Sequence, residues 1–168
     1  DAEHHQPDHP HGVVFTLAYC PAGKWLATGT QDKVVRLWYT ENRYACKRWL
    51  LGHRGEVRSV DFSPNGEVLV SGSAIGRLRL WRVATGECLR ELNCDDGVVR
   101  SVCFCPKGSL LASASSLGMV RVWCVRTGEC VRVLAGHSGR VRSLAYSLDG
   151  KCLASASEDE SVRVWSFP

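Results

Sequence analysis

His137, Ser155 and Asp159 are the residue types of a nucleophilic site, in which a histidine draws the proton from a serine oxygen and an acid orients the ring. That chemistry needs the serine on a sharp strand-to-helix elbow, and no stretch of the 168 residues spells one. His4, His5, His9 and His11 crowd the start of the chain and offer imidazoles to a transition metal, yet no second cluster completes a ligand set. Cys103 and Cys105 in "CFC" stand one residue apart, which is not the two-to-four-residue spacing of zinc ligands. There is no glycine-rich phosphate loop, and no carboxylate pair lies outside turns. These readings exclude an enzyme and predict no catalytic residues, no metal site and no cofactor.

The rest of the composition describes what must position any site. With 45% hydrophobic and 23% charged residues, the chain has the make-up of a globular protein with a core of its own. No apolar run is long enough to span a bilayer and the polar start "DAEHHQPDHPHG" does not read as a signal peptide, so the expected location is intracellular, cytoplasmic or nuclear, with no membrane partner. Nine cysteines are an odd number, expected as reduced thiols. Cys46, Cys88 and Cys130 recur at intervals of 42 residues and are read as small buried packing residues. All 21 basic residues lie beyond residue 12, against 14 of the 17 acids, and the resulting +7 favours acidic partners without choosing among peptide, phosphate and nucleic acid.

The same interval runs through the whole chain. Trp38, Trp81, Trp123 and Trp165 are 43, 42 and 42 residues apart, and they end the runs "VRLW", "LRLW", "VRVW" and "VRVW". Between them, short alternating or apolar runs are broken by turn residues, as in "VRSVDF", "SPNG", "EVLVSGS" and "RLRLW", and helical periodicity is nowhere sustained. Asn65-Gly66 and Asp149-Gly150 are residues that adopt the positive φ angles of tight hairpins, and "PAG" and "PKG" take the corresponding places. A fourth run, such as "ECLREL" or "ECVRVL", follows each tryptophan except the last. The predicted organisation is a flexible histidine-rich arm at 1–12 and four units at 13–168, divided at about 13–51, 52–92, 93–134 and 135–168.

Four short antiparallel strands every 42 or so residues, with Gly52-His53 and Gly136-His137 near the start of units, "FSPNG", "LASAS" and four registered tryptophans, resemble the WD-repeat (WD40) family. The Asp that usually follows the tryptophan is replaced by Tyr39, Arg82, Cys124 and Ser166. The resemblance implies an all-β fold, a β-propeller with four blades in this chain, each pinned by a hydrogen-bonded set of histidine, Ser or Thr, Asp and Trp. The fourth unit has the full set in His137, Ser155, Asp159 and Trp165. The first keeps Thr28, Asp32 and Trp38, with Pro10 in the histidine place. The second keeps His53, Ser71 and Trp81 but has Ile75 for the acid. The third keeps Ser113 and Trp123, with Asp95 and Leu117 at the histidine and acid places. Losing both members of a buried hydrogen bond is nearly neutral, whereas losing one strands the other at about 1–3 kcal/mol, which makes the second unit the most strained.

The resemblance also implies an outer strand for each blade. Such runs exist at about 44–51, 87–92 and 129–134, with none after Trp165, and the opening residues, with two prolines and no β-branched residue, are a poor substitute. Four blades shaped for a ring of about seven leave apolar faces at both ends. Two completions are expected: the chain is part of a longer propeller, or it forms a homodimer, a homo-oligomer closing head to tail into an eight-bladed ring.

Family partners most often sit on the top face, where the innermost strands begin and the turns between the second and third strands emerge. The matching positions include Phe15, Glu56, Arg58, Arg100, Arg140, Arg142 and Glu158. Arg58, Arg100 and Arg142 are equivalent, each within "VRS", and forked guanidinium donors suit carboxylate or phosphate. Arg36, Arg79, Arg121 and Arg163 form a second equivalent set, read as structural or solvent-facing. The expected function is a non-catalytic scaffold that binds a protein or peptide partner, acidic or phosphorylated, on that face. The alternatives are a substrate-recognition subunit of a ubiquitin ligase, on the strength of "WCVR" at Trp123 to Arg126, and nucleic-acid binding, which the lack of interleaved aromatics disfavours.

Overall fold

The computed structural model describes residues 12–41, 45–95 and 97–167, so the expected histidine-rich arm, apart from Gly12, lies outside the described residues. These residues form four antiparallel sheets. The first holds β1 (Val14–Tyr19), β2 (Trp25–Thr30), β3 (Val35–Tyr39) and β4 (Ala45–Leu50), and the second β5 (Val57–Phe62), β6 (Val68–Ser73), β7 (Arg77–Arg82) and β8 (Cys88–Asn93). The third holds β9 (Val99–Phe104), β10 (Leu110–Ser115), β11 (Val120–Cys124) and β12 (Cys130–Leu134). The fourth has three strands, β13 (Val141–Tyr146), β14 (Cys152–Ser157) and β15 (Val162–Ser166). Strands follow sequence order within each sheet, and the first strand of each packs on the first strand of the next, so β1, β5, β9 and β13 line one common side. Each sheet is one blade.

The four hairpins between first and second strands share one chemistry. Gly23, Gly66, Gly108 and Gly150 all have φ between 70° and 76°, and each amide bonds the carbonyl three residues back, at 2.7 to 2.9 Å. A Cβ opposes that conformation, which is why glycine recurs there. Only the glycine turns left-handed: Asn65 and Asp149, expected to share that conformation, instead accept amide hydrogens from Glu67 at 3.1 Å and Lys151 at 3.0 Å.

The core lies between blades. Ala27, Val35, Leu37 and Leu50 of the first blade meet Val57, Val60 and Phe62 of the second. Val70, Leu78 and Leu80 then meet Val99, Val102 and Phe104, and Ala112, Val120 and Val122 meet Val141 and Leu144. The approach is close enough to exclude a side chain at Gly72, where a Cβ would fall 2.4 Å from Val99 Cγ1. A polar ladder accompanies these contacts. The amides of Val60, Val102 and Leu144 donate to the hydroxyls of Thr16 (3.3 Å), Ser59 (3.0 Å) and Ser101 (3.2 Å), each on the preceding blade. At the two ends of the row the equivalent residues, Leu17 and Ser143, are exposed.

The nine cysteines, all among the described residues, form no disulfide. Cys46, Cys88 and Cys130 are not the buried packing residues expected: Cys46 is half-buried and the other two are exposed. Each sits on an outer strand beside a bulge opposite the blade's tryptophan, with its thiol near the carbonyl two residues on. The enclosed cysteines are Cys20, Cys94 and Cys105. On the far side of the fourth blade, β15 has no neighbour among the described residues, and Val162 and Val164 are 69% and 65% exposed. Among the described residues no helix is long and apolar enough to cross a membrane.

Candidate functional site

One side-chain bond, common to all four blades, ties the third strand to the second. The indole N–H of Trp38, Trp81, Trp123 and Trp165 donates to Thr28, Ser71, Ser113 and Ser155 at 2.9, 2.7, 2.9 and 2.9 Å. Beyond that bond the blades differ. In the fourth, His137 bridges Ser155 through Nε2 (2.8 Å) and Asp159 through Nδ1 (2.8 Å), so the ring has a partner on both sides. The Ser161 hydroxyl is the main influence holding Asp159 well below the usual carboxylate range; burial opposes it, while His137 and the amides of Ser138 and Ser161 add to the lowering.

In the second blade His53 keeps Ser71 at 2.6 Å, but its Nδ1 is buried with no partner. Burial, reinforced by the charge on Arg79, lowers this imidazole to about 4. In the third blade the register places Asp95 in the histidine position, but it is Cys94 that is buried there, its sulfur 3.8 Å from Ser113 Oγ, while Asp95 turns outward with φ 53°. In the first blade Pro10 and its flanking histidines lie outside the described residues, and Asp32 pairs with Arg36 at 2.5 Å. Arg36 is 2% exposed and its guanidinium also stacks 5.0 Å from the Trp49 ring centroid, a structural role.

These locks hold up a repeated edge. The amides of Gln31, Ala74, Ser116 and Glu158, in the turns after the second strands, donate to the carbonyls of Val13, Glu56, Val98 and Arg140, just before the first strands, at 2.8 to 2.9 Å. The same two loops are thereby pinned together in all four blades, and the arginines at the start of β5, β9 and β13 come to one side of the molecule. Arg58 contacts Glu56 and stacks 3.9 Å from the Phe15 centroid, so one ring face of Phe15 is covered by a guanidinium. Arg142 donates through Nε to Glu158 at 2.7 Å, and Arg140 lies 3.8 Å from the same carboxylate. Arg100, between them, makes no ion pair among the described residues, and its Nε is buried without a partner. Burial first, then the charges of Arg142, Arg58 and Arg140, lower its affinity for its proton, with Glu158 opposing. Four guanidiniums thus face two carboxylates, and the excess positive charge centres on Arg100.

Several residues that shape this surface escaped the sequence. Asp61 accepts the amides of Phe62 (2.9 Å) and Phe104 (2.7 Å), joining the second blade to the third, and its burial raises its carboxyl above the usual range. Its counterparts are Ala18, Cys103 and Ala145, so no repetition signals it. The hydroxyl ladder had a visible signal, the serine of each "VRS", which lies one residue beyond the arginine. Among the described residues no group of three or more His, Cys, Asp or Glu side chains is placed to hold a metal.

Four segments, residues 3–39, 44–82, 86–124 and 128–166, match the model of the family described as WD40: WD domain, G-beta repeat. Each of the last three segments starts with the outer strand of one blade and ends with the third strand of the next. The chain is similar to eukaryotic translation initiation factor 3 subunit I of Aspergillus niger, 38% identical over 68 residues, and of Aspergillus terreus, 43% identical over 68 residues; both matches cover 40% of this chain and 20% of the relative. It is also similar to WD repeat-containing protein pop2 of Schizosaccharomyces pombe, 33% identical over 101 residues, covering 49% of this chain and 14% of that protein. The matches therefore span about a fifth or less of the length of these relatives.

Proposed function

The chain belongs to the WD40 family, whose propellers are non-catalytic scaffolds for protein interactions, and from that premise we propose that it binds an acidic or phosphorylated segment of a protein partner on the face formed by Arg58, Arg100, Arg140 and Arg142. Arg100 carries this reading. Glu56 and Glu158 already engage Arg58 and Arg142, while Arg100 stands between like charges with no acid of its own among the described residues. An incoming carboxylate or phosphate relieves that repulsion and supplies the missing acceptor. That two relatives are named as a subunit of a larger factor is in keeping with scaffolding.

The test is fluorescence anisotropy with a labelled phosphoserine peptide and its unphosphorylated twin. The phosphopeptide should bind, and Arg100→Glu should weaken it by at least about tenfold without lowering the unfolding midpoint. Equal binding by the variant, or by the phosphopeptide and a twin that carries neither phosphate nor acidic side chains, overturns the reading. Steep loss of binding to a single-stranded oligonucleotide with rising salt would favour nucleic acid instead. We place this activity in the cytoplasm or nucleus. The exposed flanks, Leu17 at one end and Val162 and Val164 at the other, suit further blades, from a second copy or from a longer propeller, and light scattering on the purified chain separates a dimer from a monomer.

A further inference from the structure

In the fourth blade one carboxylate gathers four donors. Asp159 accepts from His137 Nδ1 at 2.8 Å, the Ser138 amide at 3.0 Å, the Ser161 amide at 3.0 Å and the Ser161 hydroxyl at 2.6 Å. The second blade keeps the histidine and lacks the acceptor, since Ile75 stands in the place of Asp159 and Arg77 in that of Ser161. His53 is 7% exposed. Ser71 Oγ accepts the indole N–H of Trp81, and His53 Nε2 is the acceptor its own buried hydroxyl proton meets among the described residues, so the tautomer that satisfies the serine carries the imidazole proton on Nδ1. That Nδ1–H is a buried donor with nothing to bond.

His53 lines a pocket of about 230 Å³ together with Gly52, Arg54, Ile75, Arg77, Arg79 and Glu91. Three cations face one acid there. Glu91 lies 2.5 Å from Arg79 and 4.0 Å from Arg77, while Arg54 makes no ion pair among the described residues. The guanidinium of Arg79 lies so near Gly52 that a Cβ would fall 2.0 Å from its Nη1, so any side chain at this position would push Arg79 aside. An orphaned N–H beside surplus positive charge, at the place where a sister blade holds a carboxylate, specifies the missing group.

We propose that the pocket of the second blade is a carboxylate-binding site, in which an aspartate or glutamate side chain of a partner bonds His53 and pairs with Arg54 and Arg77, supplying in trans what Asp159 supplies within the fourth blade. The site is separate from the arginines around Arg100, and either can fail without the other. A bound carboxylate also offsets the burial and the Arg79 charge that lower the His53 imidazole to about 4.

The experiment is an NMR titration of the isotopically labelled full chain that follows the imidazole signals of His53 and His137. One arm adds acetate and the other an N-acetyl-Gly-Asp-Gly-amide peptide, each to about 100 mM, enough to reveal a site of millimolar affinity. Both are expected to shift His53 and raise its pKa by about one unit or more, with His137 unmoved as the internal control. A response to the peptide at about tenfold lower concentration than to acetate assigns the site to a partner's side chain, and an equal response assigns it to a free carboxylate. Ile75→Asp restores the internal acceptor and should abolish both responses while leaving the chain folded. A His53 signal that ignores both additives, or an Ile75→Asp variant that responds like the parent, overturns the proposal.

Discussion

Among the described residues the second blade has neighbours on both sides and the fourth has one, yet the fourth carries the complete set of hydrogen bonds. Trp81, Leu78, Leu80 and Ser71 are fully buried, while one nitrogen of His53 beside them bonds nothing. In the fourth blade every nitrogen of His137 is satisfied although Val162 and Val164 lie open and Trp165 is half-buried. Hydrogen bonding therefore organises each blade from within, and apolar burial joins one blade to the next. The two are separable. A blade enclosed by its neighbours tolerates a defective lock because packing around Trp81 outweighs one orphaned donor.

The sharpest way to break this comparison is to truncate both tryptophans. Trp81→Ala should cost about 3–5 kcal/mol in urea unfolding, and Trp165→Ala roughly half as much, because less apolar surface is at stake. Equal losses would mean that the lock, and not its surroundings, sets the value of the indole. Acid sharpens the contrast next. The folded chain holds His53 at about 4 against a usual 6.5, so the unfolded chain binds a proton that the folded one refuses. The His53 contribution is constant above about pH 6.5, costs about 3 kcal/mol of stability as pH drops toward 4, and is constant again below that. Urea midpoints across this range should show the slope, and His53→Gln should remove it. Asp159 acts in a different window: its lowered pKa gives stability that is present above the ordinary carboxylate range and lost only in stronger acid. The smallest effect separates the interfaces. Gly72→Ala drives a methyl into Val99 and should cost about 1–3 kcal/mol, whereas Ala156→Gly, at the equivalent place with no following blade among the described residues, should cost under about 1 kcal/mol. Thermal unfolding of the two variants distinguishes them.

The period of the chain made much of this architecture readable. Tryptophans 42 or 43 residues apart, each ten residues beyond a Ser or Thr, place the strands, and a glycine at every first hairpin places the turns. Three features were hidden, each for a local reason. Asp95 adopts a left-handed conformation, and the turn it makes carries Cys94 into the position that simple counting gives to Asp95. Bulges opposite Trp38, Trp81 and Trp123 change the outlook of Cys46, Cys88 and Cys130, and alternation alone does not reveal a bulge. Arg36 repeats in sequence with Arg79, Arg121 and Arg163, but only in the first blade is it drawn inward, by Asp32 four residues earlier; Asp159, at the same spacing from Arg163, is held by His137, and Arg163 stays exposed. At the candidate site, the equivalence of Arg58, Arg100 and Arg142 was plain from "VRS". That Glu56 and Glu158 answer two of them and leave Arg100 unanswered depends on loop geometry that no spacing encodes.

The hydroxyls of Thr16, Ser59 and Ser101 make the row of blades one-way. Each is read by the unit that comes after it and by no other, like the teeth of a ratchet. A unit inserted upside down, or placed behind one bearing alanine at that step, would bury an amide with no answer, so neighbours are screened for orientation as well as for greasiness. Ser143 carries the next tooth.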